Sequence, residues 1–218
     1  MRQVYGGNIF KLSIASSLAA LTGFLAQISF RLGPIPYTMQ NTAVVLAGLL
    51  LPPSWALLSQ LLYLLMIALG LPLATGFRGG IAILLGYTGG YLAGFPITSL
   101  LMSYLSRAYL RLTSKRISST TSRDLIVLLL LSAIAVIPEY LLGFLVFSYY
   151  ALGNARLFSW SESVVSFLGL GNLPPLLTLF IVSVLVFIPQ DLLVDHVVAI
   201  VVAKWASKLL EYYGIELE

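Results

Sequence analysis

The stretch Gly79-Gly80-Ile81-Ala82-Ile83-Leu84-Leu85-Gly86-Tyr87-Thr88-Gly89-Gly90-Tyr91-Leu92-Ala93-Gly94-Phe95 carries the pattern that decides the fold. It leaves a loop rich in proline and glycine and continues as an apolar helix. Small residues recur at every fourth position, at Ala82, Gly86, Gly90 and Gly94. In water each such glycine would weaken a helix by roughly 1 kcal/mol relative to alanine, whereas in a membrane small residues let helix backbones approach closely. The spacing therefore predicts one smooth stripe, serving either as a plain packing seam or as the wall of a small cavity.

The composition indicates an integral membrane protein. Of 218 residues, 59% are hydrophobic and only 9% are charged, against about 25% charged in soluble domains. The mean hydropathy is +0.98, and we expect one transmembrane domain over residues 1–218. A net charge of +4 could suggest nucleic acid, but the placement of the charges favours a topology signal, so no nucleic-acid partner is expected.

Apolar segments separated by proline- and glycine-rich loops predict six membrane-spanning helices. They are residues 9–30, 38–51, 54–69, 79–108, 125–151 and 176–210. The first is too long for a signal-peptide core and is interpreted as a retained span. The second has only about 14 residues, so other helices or a thinned bilayer must cover it. Residues 153–175 are interpreted as an interfacial piece with a short amphipathic helix.

The basic residues fall mainly on one side of this six-span topology. Nine lie with the two termini and the connector after the fourth span: Arg2, Lys11, Arg107, Arg111, Lys115, Arg116, Arg123, Lys204 and Lys208. Three lie opposite, Arg31, Arg78 and Arg156. Because cytoplasmic loops carry the excess of Lys and Arg, this asymmetry predicts a multi-pass protein of the cell membrane with both termini inside.

Ionisable side chains at membrane depth are the candidates for chemistry, because they are costly and face the interior or a water-filled cavity. Four qualify: Glu139, Asp191, Asp195 and His196. Asp191 and Asp195 are four residues apart and are expected on one helix face, just after Pro189, which frees backbone carbonyls. They predict either a polar ligand site or a packing pair that shares a proton. Glu139, beside Pro138, could equally hold a kinked backbone.

Enzyme motifs are missing from the sequence. It has no P-loop, no Gly-x-Ser-x-Gly setting for a nucleophile, and no histidine pair for zinc. With one histidine and no cysteine, neither a metal site nor a cofactor is expected. The chain is therefore not expected to be an enzyme, although an intramembrane enzyme or scaffold using Glu139, Asp191 and His196 remains an alternative.

Several motifs occur together in a characteristic order. They are Pro36-Tyr37-Thr38-Met39-Gln40, Gln60-Leu61-Leu62-Tyr63 through Gly70-Leu71-Pro72, the stretch 79–95, Tyr140-Leu141-Leu142-Gly143 and Phe187-Ile188-Pro189-Gln190-Asp191. Together they resemble the BioY family, the substrate-binding S components of energy-coupling-factor (ECF) biotin transporters. The resemblance implies a six-helix bundle that binds biotin from outside. It also implies docking on a transmembrane coupling subunit that an ATPase pair powers, through the small face Ala15, Ala19 and Gly23 on the first helix.

The sequence departs from the family at four motif positions. Tyr87 stands where the family usually has proline, Asn41 replaces threonine, Gln190 replaces glycine and Val194 replaces lysine. Asp195, His196 or Arg78 could supply what that lysine did. Because these changes bear on the ligand, an S component for another small vitamin is a second interpretation.

The chemistry of biotin matches a set of candidate binding residues: Asp191, Tyr91, Asn41, Gln40, Gly86, Arg78 and Asp195. The ureido ring of biotin offers two N–H donors and a carbonyl, which suit an aspartate and an Asn or Gln amide. Apolar helix walls and Tyr91 suit the thiophane ring and the valerate chain. An outer arginine suits the carboxylate.

Overall fold

The computed structural model describes residues 7–31, 33–171 and 173–215, so the predicted inside charge Arg2 lies outside the described residues. The first half contains α1 (Asn8–Leu25), β1 (Ser29–Arg31), β2 (Pro36–Thr38), α2 (Gln40–Leu50), α3 (Pro53–Ala68), α4 (Ile81–Leu84) and α5 (Gly89–Leu112). A 3₁₀ turn at Ile117–Ser119 then leads into the second half. That half contains α6 (Ser122–Ala135), α7 (Ile137–Leu152), α8 (Ala155–Phe167), α9 (Pro175–Phe180), α10 (Ile188–Gln190) and α11 (Val197–Tyr212).

Proline sets several of these helix starts. Pro53, Pro138 and Pro175 occupy the first or second position of α3, α7 and α9, where the missing N–H would have no partner in the helix. Pro138 thereby divides the predicted span 125–151 into α6 and α7. The predicted amphipathic helix within 153–175 is confirmed as α8.

The first predicted span ends earlier than expected. Helix α1 stops at Leu25, and an antiparallel hairpin follows in which Phe30 pairs with Tyr37. The two rings stack with their centroids 4.7 Å apart. The apolar residues up to Phe30 therefore belong partly to a strand, so the span boundary at residue 30 is wrong.

Helix α2 is the centre of the bundle. All 11 of its residues are buried, because α1, α3, α5 and α11 pack around it. The prediction that other helices must cover this short segment is confirmed.

The glycine stripe is not one continuous helix. Helix α4 ends at Leu84, and a turn precedes α5, which begins at Gly89. Gly90 and Gly94 nevertheless form a close crossing of α5 with α7, since a Cβ on Gly94 would lie 2.4 Å from the Glu139 Cα. The stripe is thus a packing seam in its second half and a turn in its first half.

The small residues of α1 also form an internal seam. Ala15, Ala19 and Gly23 are buried within the chain, and a Cβ on Gly23 would lie 2.8 Å from the Leu73 side chain. The predicted docking face therefore needs correction, since these three residues are covered. The small residues that α1 leaves exposed are Ser13, Ser16, Ser17 and Ala20.

Three helical segments in the described part of the chain are long and apolar enough to cross a membrane: Asn8–Leu25, Ser122–Leu152 and Pro175–Tyr212. Two shorter apolar helices are Gln40–Leu50 and Pro53–Ala68. The last segment is not uniformly α-helical, because π-helical turns occupy Ile181–Leu185 and Asp191–His196 on either side of Pro189. The expectation that Pro189 disturbs this helix is confirmed.

Candidate functional site

A small cavity lies where the hairpin, α2, α3, α5, α7 and α10 meet. Its volume is about 80 Å³. Polar side chains that line it are Thr38, Gln40, Asn41, Tyr63, Thr75, Arg78, Thr88, Tyr91, Glu139, Tyr140, Gln190 and Asp191. Apolar side chains complete the wall: Ile35, Pro36, Ala74, Ile83, Leu92, Phe95 and Phe187.

Asn41 bridges two buried carboxylates at this cavity. Its Nδ2 donates to Glu139 Oε1 at 3.0 Å and to Asp191 Oδ2 at 3.0 Å. An ionised carboxylate is an acceptor only, whereas the amide nitrogen has two N–H donors. The two carboxylates therefore fix the orientation of the Asn41 amide.

The consequence is an unused acceptor at the cavity. Asn41 Oδ1 is buried and has no hydrogen-bond partner within the described chain. A buried polar group without a partner costs roughly 1–3 kcal/mol, so this oxygen is suited to accept a hydrogen bond from a ligand. Asn41, Glu139 and Asp191 thus give the cavity a floor rich in acceptors.

Neighbouring hydroxyl groups hold the two carboxylates in place. Tyr140 Oη donates to Asp191 Oδ2 at 2.5 Å, and Thr98 Oγ1 donates to Glu139 Oε2 at 3.4 Å. Burial, and secondly the nearby Asp191 carboxylate, raise the pKa of Tyr37 on β2, so this phenol stays protonated. The carboxylates are therefore surrounded by donors that fix their positions.

Two glutamine amides connect the floor to the hairpin. Gln40 Nε2 donates to the Tyr63 hydroxyl at 2.6 Å and keeps one further N–H. Gln190 Nε2 donates to the Thr38 carbonyl at 2.9 Å and to Asp195 Oδ1 at 3.3 Å. Gln190, where the family usually has glycine, thus ties the helix that carries Asp191 to the hairpin.

The rim of the cavity combines aromatic rings with a cation. Tyr91 donates its hydroxyl hydrogen to the Ser183 carbonyl at 2.6 Å, so its ring is fixed as a wall. Arg78 lies in an exposed loop at the rim, where its Nε donates to the Thr75 carbonyl at 3.1 Å. Tyr87 stands where the family usually has proline. Its hydroxyl donates to the Pro34 carbonyl at 3.1 Å and so holds the loop of the hairpin.

The structure brings together five of the seven predicted site residues: Asp191, Asn41, Gln40, Tyr91 and Arg78 all line the cavity. Gly86 does not, because it lies in the turn between α4 and α5. Asp195 is fully buried and does not line the cavity, although its Oδ1 accepts from Nε2 of the cavity residue Gln190 at 3.3 Å. Of the two aspartates predicted to share one helix face, only Asp191 therefore lines the cavity.

Two further residues of the last span also lie away from the cavity. Val194, at the family's lysine position, has 43% of its surface exposed and does not line the cavity. His196 lies instead against α6, with its Nδ1 2.8 Å from Ser132 Oγ. Ser132 Oγ also lies 2.7 Å from the Leu129 carbonyl oxygen, so it links the histidine to the backbone of α6. His196 thus has a structural partner, and the structure does not place it beside Glu139 and Asp191 as the enzyme alternative requires.

Sequence reasoning did not include Tyr140 and Tyr63 in the site, and it named Glu139 as a candidate for chemistry but not as a binding residue. The signal for Glu139 was present, because it is an ionisable group at membrane depth. The close approach of Gly94 to Glu139 is what turns α7 towards the cavity, and nothing in the sequence pairs these two positions. Tyr63 lines the cavity, whereas Gln60 of the same motif lies off it and its Oε1 accepts from Thr22 at 3.3 Å.

The family model described as the BioY family matches residues 3–211. The chain belongs to the BioY family. A protein named "Probable biotin transporter BioY" from Pyrococcus horikoshii is 48% identical over 89 residues, which cover 41% of this chain and 55% of the relative. A second protein of that name, from Bacillus subtilis, is 35% identical over 113 residues, which cover 52% of this chain and 61% of the relative. "Biotin transporter BioY" from Thermotoga maritima is 37% identical over 106 residues, which cover 49% of this chain and 58% of the relative.

The chain therefore spans little more than half the length of these curated BioY relatives. A solved structure, described as the S-component for biotin from an ECF-type ABC transporter, matches with a TM-score of 0.69 at 25% identity. That match covers 94% of this chain and 95% of the other. The fold, unlike the pairwise alignments, is thus shared over nearly the whole length.

Proposed function

We propose that this protein takes up biotin as the membrane-embedded, substrate-binding S component of an ECF transporter. The observation that carries the proposal is the floor of Asn41, Glu139 and Asp191, where two carboxylates force an amide oxygen into an unpartnered position. Biotin offers two ureido N–H donors, which such a floor is suited to accept. Membership of the BioY family and the names of its relatives support the same ligand.

The rest of the cavity suits the rest of the ligand. The spare N–H of Gln40 can donate to the ureido carbonyl, and the ring of Tyr91 can pack on the thiophane ring. Arg78 at the rim is a suitable partner for the valerate carboxylate, since arginine binds carboxylates through strong charge-assisted hydrogen bonds.

Asn41 and Gln190 differ from the residues usual in the family, and this difference supports a second candidate function, an S component for another small vitamin. Both residues line the cavity, so they act on the ligand directly. The floor requires that any such vitamin present N–H donors, which limits this alternative chemically.

The test compares biotin with lipoate on the purified protein in detergent. Lipoate has a five-membered sulfur ring on a valerate chain but no ureido group. Two lost hydrogen bonds to acceptors of this kind amount to at least about 3 kcal/mol, so biotin should bind at least about 100-fold more tightly. No detectable biotin binding, or equal affinity for the two ligands, would contradict the proposal.

The membrane topology remains part of this proposal. Six crossings with both termini inside agree with the charge asymmetry, with α1, α2, α3, α5, α6–α7 and α9–α11 as the crossing segments. In this orientation the cavity faces outwards, as capture from outside requires. The energising partners are a transmembrane coupling subunit and an ATPase pair.

We further propose that the coupling subunit docks on the exposed small-residue face of α1, beside the buried seam first predicted for that role. Replacing Ala20 with leucine should leave biotin binding unchanged and lower transport, because the bulky side chain prevents close helix approach. The measurement is biotin uptake by cells that produce the complete transporter, alongside a biotin dissociation constant.

Two variants serve as controls for docking. Ala93→Leu makes the same change at an exposed position on α5 and should not affect uptake. Ala15→Leu overpacks a fully buried position and should lower the melting temperature as well as uptake. Normal uptake by a folded Ala20→Leu protein would remove α1 from the docking surface.

A further inference from the structure

A second cleft lies away from the biotin cavity, between the α2–α3 turn, the end of α5 and the end of α11. Its volume is about 370 Å³. Four cations line it, Arg107, Arg111, Lys115 and Arg116, against one carboxylate, Glu211. The lining therefore carries a formal net charge of +3.

Part of this charge is compensated inside the protein. Lys115 Nζ is 2.7 Å from Asp124 Oδ2, and Arg116 Nη1 is 3.8 Å from Glu211 Oε1. Arg111 is exposed, and the described residues provide it with no hydrogen bond or ion pair. The cleft thus keeps positive charge that an external anion can neutralise.

The same cleft has an apolar side. Ile117, Leu210 and Ile215 are partly exposed in its lining, whereas the lining residues Leu49, Leu50 and Leu110 are buried. An inorganic anion would gain nothing from these side chains. A ligand with an anionic head and a hydrocarbon part would contact both.

Aromatic residues on α11 indicate the depth of the cleft. Trp205, Tyr212 and Tyr213 are 67%, 82% and 66% exposed, and Lys208 lies 5.3 Å from the centre of a Trp205 ring. Exposed Trp and Tyr gather at the level of lipid headgroups. Because Leu210 and Glu211 lie between these aromatics on the same helix, the cleft opens at headgroup depth.

We propose that this cleft binds the headgroup of an anionic phospholipid, with its phosphodiester at Arg111 and neighbouring cations and its glycerol and acyl region against Ile117, Leu210 and Ile215. Basic pockets between membrane helices bind anionic headgroups in this way. The lipid would tie the α2–α3 turn to the ends of α5 and α11. The site is independent of the biotin cavity and of the transport function proposed above.

The test measures lipid adducts on the purified protein by native mass spectrometry, with phosphatidylglycerol compared with phosphatidylcholine. Phosphatidylglycerol should bind preferentially, and Arg111→Gln should weaken its binding about five-fold, the effect of one cation near a membrane surface. Arg123→Gln is the matched control, because Arg123 is exposed at the same end but does not line the cleft.

Each outcome decides the proposal. A preference for phosphatidylglycerol that Arg111→Gln lowers and Arg123→Gln leaves unchanged supports it. Equal losses in both variants would show a general charge effect, and equal binding of both lipids would show no headgroup site. Displacement of the lipid by millimolar inorganic phosphate would assign the cleft to a free anion and overturn the lipid assignment. Biotin affinity is measured in parallel and should not change in either variant.

Discussion

Asp191→Asn is expected to weaken biotin binding roughly 10- to 150-fold. A hydrogen bond to a charged group contributes about 1.5–3 kcal/mol, which corresponds to that range of dissociation constants. Asp191 also accepts hydrogen bonds from Asn41 Nδ2 and from the Tyr140 hydroxyl. An asparagine there can turn its NH₂ group towards either donor, which disturbs the floor as well as removing the charge. The measurement is a biotin dissociation constant in detergent, with a thermal melt to check folding.

The matched control is Asp195→Asn, the same change four residues along. Asp195 is fully buried and lies off the cavity, so this variant should weaken biotin binding less than Asp191→Asn does. Similar losses in both variants would mean that the effect is a general disturbance of the helix. Unchanged affinity in a well-folded Asp191→Asn protein would remove Asp191 from the ligand site.

Charge at membrane depth was the sequence feature that found the site. It singled out Asp191, and the physical reason is that a buried carboxylate needs donors around it, which Asn41 and Tyr140 provide. The same feature could not separate Asp191 from Asp195 or His196. That distinction depends on tertiary packing, which an apolar pattern does not encode: Asp191 lines the cavity, whereas Asp195 contacts Gln190 and His196 contacts Ser132.

The sequence predicted where a helix begins or ends when a proline or glycine sets that position, and it did not predict the other helix ends. Pro53 begins α3 within one residue of the predicted start. The break between α4 and α5 was missed, because the fourfold spacing of small residues suits a continuous helix. The strand at Phe30 was missed too, since its apolar side chains continue the composition of α1 and its pairing with Tyr37 is a tertiary contact.

The lysine position of the family shows how a motif can mislead. The sequence alone suggests that Val194→Lys would restore a ligand contact. In the structure Val194 faces outwards with 43% of its surface exposed, so a lysine there would not reach the floor. The hydrogen-bond donors and acceptors of this cavity come instead from α2, α3, α7 and α10. Because these helices are far apart in the sequence, only their packing shows which polar side chains meet at the cavity.

Gly94→Ala is expected to destabilise the protein and to weaken biotin binding together. Intrinsic propensity favours alanine in a helix by roughly 1 kcal/mol, so any loss must come from the contact. A Cβ at this position would lie 2.4 Å from Glu139 Cα and 2.8 Å from Glu139 Cβ, and relieving such overpacking costs about 1–3 kcal/mol. Helix α7 must move away from α5, and it takes with it the Glu139 carboxylate that orients Asn41.

Gly153→Ala is the control for this second prediction, because it lies at the end of α7 where the nearest atoms to a Cβ are 3.8 Å away. Its melting temperature and biotin affinity should match those of the wild type. In Gly94→Ala both quantities should fall, and the loss of affinity should persist well below the melting temperature, because the floor is displaced in the folded protein. A Gly94→Ala protein that melts and binds as the wild type does would show that α5 and α7 are not in backbone contact at Glu139. The orientation of Asn41 would then have to come from Asp191 alone.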